Sequence, residues 1–239
     1  MISRSLICFS LASAVASSGA YSAEVTGRVS LRDSREASVA KSAGFSGVVV
    51  SLEPLDARAA PAPPTRAAMV QKNKTFSPHV LPVQVGATVE FPNYDPIFHN
   101  AFSSYSGQIF DVGLYRPGST RSVRFNRPGV VRVFCNIHPH MSAIILVVAG
   151  PYFAKTGPDG RFAIDVPPGR YQLRVFHERA TEATLTALGR TIQVDSRGFE
   201  FPPIAISEAG YLPAPHANKY GQPYPPAPDD GSVYPGVRK

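Results

Sequence analysis

Cys135, His138 and Met141 lie within seven residues of one another in the segment FCNIHPHM. They offer a thiolate, an imidazole and a thioether. A second imidazole, His99, stands upstream in FPNYDPIFHN. Soft sulfur ligands combined with imidazoles suit copper. Two His and one Cys in a plane, with a weak Met on the axis, form a site for one-electron chemistry at that metal. Cu(I) and Cu(II) prefer different geometries, so a rigid site that suits both needs little rearrangement when an electron moves. His99, Cys135, His138 and Met141 are therefore the candidate metal ligands, with one copper ion as the cofactor.

Such a site needs rigid elements to hold it. The run VVRVF (Val130 to Phe134) reads as a strand that delivers Cys135, and AIILVV (Ala143 to Val148) as a strand that leaves after Met141. His99 follows another strand ending near Phe91. Elsewhere, alternation of apolar and polar residues predicts strands over Glu24–Leu31, Gly47–Leu55, Arg161–Val166 and Arg170–His177. Shorter strands are expected around Thr191–Val194 and Phe199–Ile206. Asp159-Gly160 and Pro167-Pro168-Gly169 supply turns. One brief helix is conceivable at Ala180–Leu188. With 19 Gly, 24 Pro and many Phe and Tyr, the chain reads as all-β.

Of 239 residues, 44% are hydrophobic, enough for a buried core, and 17% are charged. No apolar run approaches the ~20 residues of a membrane span. Residues 1–20 have the form of a secretory signal peptide: Arg4, then a short apolar stretch, then Ser18 and Ala20 as small residues before cleavage. Export to the periplasm is expected. Removing that segment takes away Cys8, one of the two cysteines. The remaining chain cannot form an internal disulfide, and a lone Cys135 in an oxidising compartment asks for a role such as ligation. The net charge of +7 is spread along the chain without a recognition motif. Nucleic acid is not expected as a partner; a solvated surface or an acidic redox partner fits better. An Ala/Pro-rich linker covers residues 59–67. From residue 208 onward the last 32 residues hold seven Pro, four Gly and four Tyr with few aliphatics, so residues 208–239 read as a disordered tail.

The segments TFSPHVLPVQVGATVEFPN (Thr75 to Asn93), HN (His99-Asn100) and PGVVRVFCNIHPHM (Pro128 to Met141) resemble the cupredoxins. The Cys135, His138 and Met141 spacing is that of the short ligand loop of amicyanin. The resemblance extends to bacterial cupredoxin-domain proteins labelled methylamine utilization proteins and covers residues 68–149. It implies a Greek-key β-sandwich and a blue (type 1) copper site. His99, Cys135 and His138 would be equatorial ligands and Met141 the axial one, with Asn100 helping to hold the loop. His138 would be the electron port, beside Pro139, Phe98 and Ile97. A c-type cytochrome or a periplasmic dehydrogenase would be the redox partner of a monomeric carrier. His140 has no place among the ligands and reads as a surface residue. VTGRVSL, GVVVSLEP and TGPDGRFAIDVPPGRYQLRVFH resemble a carboxypeptidase regulatory-like (transthyretin-like) β-sandwich. Residues 24–58 and 150–207 would then form one sandwich into which the cupredoxin unit is inserted; two consecutive domains are the alternative.

Other readings remain open on the sequence. The same ligands could serve a copper carrier or storage protein without redox duty. A multicopper oxidase needs several His-x-His pairs, and the chain has one, His138-Pro139-His140. A copper nitrite reductase is a related enzyme reading, and a metal-free structural module is a fourth. No enzyme activity is expected. His79 and His177 read as packed or edge residues, His216 as part of the tail and Met69 as a linker residue. Asp95 has no converging carboxylate or nucleophile for acid–base work.

Overall fold

The computed structural model describes residues 22–35, 47–56, 65–104, 107–212 and 216–224. The expected signal peptide and most of the expected linker lie outside them. In chain order the strands are β1 (Ala23–Arg32), β2 (Val49–Pro54), β3 (Arg66–Ala68), β4 (Val70–Lys72), β5 (Thr75–Ser77), β6 (Val80–Gln84), β7 (Thr88–Pro92), β8 (Phe102–Ser103), β9 (Phe110–Asp111), β10 (Thr120–Arg124), β11 (Gly129–Phe134), β12 (Ser142–Val148), β13 (Phe153–Lys155), β14 (Arg161–Val166), β15 (Gly169–Phe176), β16 (Arg190–Val194), β17 (Phe199–Glu200) and β18 (Ile204–Ser207). A short helix, α1 (Glu182–Leu188), is capped by the Thr181 hydroxyl, which accepts from the Thr184 N–H at 3.2 Å. The chain is nearly all β, as its turn-rich composition implies.

The strands fall into two groups by pairing. β1 pairs antiparallel with β14 and parallel with β17 and β18, while β2 lies between β13 and β15, with β16 beyond. One core joins these sheets: Val25 and Val29 of β1, Val50 and Leu52 of β2, Phe162 and Ile164 of β14, Leu173 of β15. The alternation in β14 is strict, with Phe162, Ile164 and Val166 buried and their neighbours exposed, which is how a strand with one wet face must read. The strands β3 to β12 pair only with one another, in the orders β6-β12-β11-β8-β9 and β10-β7-β3, with β4 and β5 as a hairpin. β3 begins at Arg66 and pairs with β7, so this group starts two residues before the expected boundary at 68. Its two larger sheets share a second core that includes Val89, Phe91, Val131, Val133, Ala143 and Ile145.

β12 is buried on both faces. Ala143, Ile145 and Val147 face the second core, while Ile144 packs with Val80 of β6 and Val49 of β2 in a small third cluster flanked by Leu146 and Phe176. This explains why its sequence is a continuous apolar run rather than an alternating one. Polar ties reinforce the junction. His79 Nε2 lies 2.7 Å from the Glu178 carboxylate, and Lys155 Nζ donates to the Val80 carbonyl at 3.4 Å. Met69 is fully buried in the second core, so it is a core residue rather than part of a linker.

Candidate metal centre

The ligand loop is the connection between β11 and β12. Its ends are closed by backbone bonds: the Cys135 N–H donates to the Met141 carbonyl at 3.2 Å, and the Met141 N–H to the His138 carbonyl at 3.1 Å. Cys135 and Met141 thus leave neighbouring strands side by side, and both are fully buried in the same apolar cluster. Thiolate stabilisation comes from the backbone. The N–H groups of Ile137, Asn100 and His138 point at the Cys135 sulfur.

His99 is built into place from further away. After β7, Asn93 folds the chain back: its side chain accepts from the Asp95 N–H and donates to the Ile97 carbonyl. His99 then forms a two-bond bridge with Tyr115, at 3.1 and 2.9 Å. The Tyr115 hydroxyl donates to the Phe91 carbonyl at 2.8 Å and accepts from the Gln71 side chain. Tyr115, Phe91 and Gln71 are all buried, so the bridge that places His99 is anchored in the core.

Together these elements bring His99, Cys135 and His138 into one cluster. His99 Nδ1 and His138 Nδ1 are 3.1 Å apart; the Cys135 sulfur is 3.9 Å from the first and 3.5 Å from the second. The other nitrogen of His99, Nε2, lies 2.7 Å from Asp95 Oδ2. A carboxylate only accepts, so Nε2 carries the proton and Nδ1 presents a lone pair to the cluster. A thiolate and two imidazoles of this softness fit copper. Donors ~2.0–2.3 Å from a small ion lie ~3.3–3.8 Å from one another; the Cys135–His138 spacing falls in that range, and the other two lie within 0.2 Å of it. His138 is half-buried and His140 exposed, so the loop turns one imidazole in and the other out. For Met141 the structure gives burial beside Cys135 and the two loop-closing backbone bonds.

Protonation agrees with a ligand role for both imidazoles. Burial lowers the His99 pKa against the pull of Asp95. His138 falls to about 4, through burial first and then the neighbouring His99 and Lys74 charges. Both are neutral at pH 7 and available to a metal. Burial pushes the Cys135 thiol up, with the three N–H groups opposing it, so a metal must displace a proton there.

Two participants escape a sequence reading. Asp95 holds His99 in place. Its carboxylate is buried and accepts from the Asn73 N–H at 2.6 Å and the Lys74 N–H at 2.8 Å as well as from His99. Asn73 and Lys74 form the two-residue turn between β4 and β5, both at positive φ (54° and 53°). That is the turn type a twisted hairpin prefers, although Lys at positive φ is strained. The strained turn aims two N–H groups at one carboxylate. A -PNYDP- segment just before His99 is the available signal, but nothing in it names the turn that it meets.

The second participant is the segment 216–224. Its composition predicts disorder, yet it takes a defined position against the ligand loop. The His216 ring stacks on Phe134 at 4.0 Å, and Tyr224 donates to the Cys135 carbonyl at 2.9 Å. Few aliphatics are needed for this, because rings and hydrogen bonds make the contact. Residues 225–239 lie outside the described ones. His79 and His177 are engaged with Glu178 and Glu208, away from the centre. Asn100 donates from its side chain to Asp111 at 2.7 Å, which ties the chain just after His99 to β9.

Among the described residues, no helix is long and apolar enough to cross a membrane. No family model matches the chain, and no curated protein matches it. Solved structures do. A purple cupredoxin from Nitrosopumilus maritimus is 24% identical over 34% of this chain and 99% of its own, with a TM-score of 0.32. A copper-containing nitrite reductase from Thermus scotoductus SA-01 is 28% identical over 41% of this chain but only 26% of its own, with a TM-score of 0.34. A reduced single-substitution variant of amicyanin is 20% identical over 34% of this chain and 80% of its own, with a TM-score of 0.32. The solved structures similar to this chain thus include cupredoxins and a copper-containing nitrite reductase, each along a part of it.

Proposed function

We propose that this chain is an exported type 1 copper protein that carries single electrons between periplasmic redox partners. The observation that carries the reading is the convergence of His99 Nδ1, His138 Nδ1 and Cys135 Sγ, at 3.1 to 3.9 Å from one another, beside an apolar core. Copper bound there supplies a one-electron couple. The protein's own residues do the rest. Asp95 fixes the tautomer of His99. The paired ends of the ligand loop hold Cys135 and His138 at constant spacing. Met141, buried beside Cys135, is the proposed axial ligand. Half-buried His138 is the proposed route for the electron, toward a c-type cytochrome or a periplasmic dehydrogenase. We also propose that the unit formed by β3 to β12 is an insertion in the other sandwich; the exclusive pairing of β1 and β2 with β13 to β18 supports this.

The test is a titration of the purified chain with Cu(II), followed by visible and EPR spectroscopy. One equivalent should produce an intense thiolate-to-copper band, absent in Cys135→Ser. A Cys135→Ser variant that keeps the full band overturns the proposal. Colourless binding through the histidines would indicate carriage or storage instead, and more than one copper per chain would reopen an enzymatic reading.

A further inference from the structure

The segment 216–224 touches the ligand loop at several separate points. His216 Nε2 donates to the Pro139 carbonyl at 2.8 Å, while its ring stacks on Phe134 at 4.0 Å and meets Tyr224 edge-on at 5.2 Å. The Tyr224 hydroxyl donates to the Cys135 carbonyl at 2.9 Å. The Lys219 N–H donates to the Asn136 side chain at 2.9 Å, and Lys219 Nζ pairs with Asp111 at 2.8 Å. Asp111 in turn accepts from Asn100, the neighbour of His99. A tight turn closes the segment on itself, with the Asn218 side chain accepting from the Tyr220 and Gln222 N–H groups. The anchors fall on the backbone at both sides of His138 and, through Asp111, on the residue beside His99.

We propose that residues 216–224 are a strap that locks the ligand loop from outside. It fixes the carbonyls of Cys135 and Pro139, and therefore the segment carrying His138, in the spacing that the metal needs. His216 and Tyr224 are positioning residues in this scheme and touch no metal. Without the strap, the loop is held at its inner end by two backbone bonds and gains room to open. The proposal deepens the copper reading and rests on it only for its consequence, since the strap acts equally on the metal-free loop.

Cys135 reports on that opening directly. With Cys8→Ser as background, Cys135 is the sole thiol in the chain. Metal-free protein is mixed with a chromogenic aromatic disulfide and the labelling rate is followed at constant pH. Buried Cys135 should react slowly in the parent chain. Truncation after Leu212 should speed labelling by ~10-fold or more, since the hydrogen bonds to Cys135, Asn136 and Pro139 are lost together. The milder pair Tyr224→Phe and His216→Ala should each give ~3- to 10-fold by the same reasoning. Circular dichroism and thermal melting establish that each variant is folded; if the truncated chain fails to fold, the point variants decide. Equal labelling rates within twofold in folded parent and folded variants overturn the strap. The same proteins loaded with Cu(II) should lose the metal faster to a chelator in the same order. If no copper binds to the parent, the copper reading fails, and the thiol comparison still decides the strap.

Discussion

Replacing Asp95 by Asn removes one charge from a carboxylate that serves three donors. Oδ1 accepts from the Asn73 N–H at 2.6 Å; Oδ2 accepts from the Lys74 N–H at 2.8 Å and from His99 Nε2 at 2.7 Å. An amide has one oxygen. Turned toward Lys74 and His99, it leaves its NH2 against the Asn73 N–H, and that buried donor has no acceptor. Such an orphan costs ~1–3 kcal/mol, and the two remaining bonds lose their charge assistance. Relief of the carboxylate's desolvation works the other way, so a net loss of ~2 kcal/mol is expected. The metal should feel the change as well. A neutral amide oxygen holds the His99 Nε2–H tautomer less firmly than the carboxylate does, and weakening such an outer partner lowers metal affinity ~10- to 100-fold. Two assays check this: urea unfolding of the metal-free chain at pH 7, and competition for copper against a chelator of known affinity. A variant within 0.5 kcal/mol in stability (about 2-fold in equilibrium) and within twofold in copper affinity would refute the assignment of Asp95 as the residue that orients His99.

Acid should weaken the junction around Glu208. Burial works to raise this carboxyl, but hydrogen bonds from Arg179, Ser34 and His177 outweigh it and hold the pKa at about 2, against an ordinary value of 4.5. A depressed carboxyl stabilises the fold above its unfolded pKa and loses that contribution as pH falls from about 4.5 to about 2. The full difference is on the order of 3 kcal/mol; Glu208→Gln should flatten stability against pH in that window, measured by urea unfolding at each pH. Tyr115→Phe deletes the hydroxyl that bonds the Phe91 carbonyl and the Gln71 side chain, both buried. Leaving them unsatisfied should cost ~1–3 kcal/mol in thermal or urea unfolding, with the copper band position unchanged.

Legibility in the sequence followed periodicity. β14 and β15 announce themselves by Phe162, Ile164 and Val166 and by Tyr171, Leu173 and Val175, which are all buried. Their faces are set by local alternation, and no distant partner is needed to read it. Cys135, His138 and Met141 are legible for the same reason, being close in sequence between two apolar strands. His99 could be added because its residue type restricts what it can do. Asp95 could not be read, because its role depends on a turn at residues 73–74 that only folding brings to it. The strap was invisible for a related reason. Pro, Tyr and Gly spaced without period carry no burial signal, and its partners are carbonyls, which every residue has.

The double burial of β12 bears on modularity. A cassette containing β3 to β12 alone would expose Ile144, Val80 and Leu146, the apolar patch that Val49 and Phe176 cover. The unit of β3 to β12 is therefore unsuited to recombine as a free cassette, and excising it should yield a chain prone to self-association. The same patch makes the neighbouring sandwich a mount rather than a tethered companion. A unit on a flexible leash searches for its partner by reorienting. One fused along a strand face offers its docking surface in an orientation fixed when the chain folds. Electron exchange would then depend on the whole molecule tumbling into register.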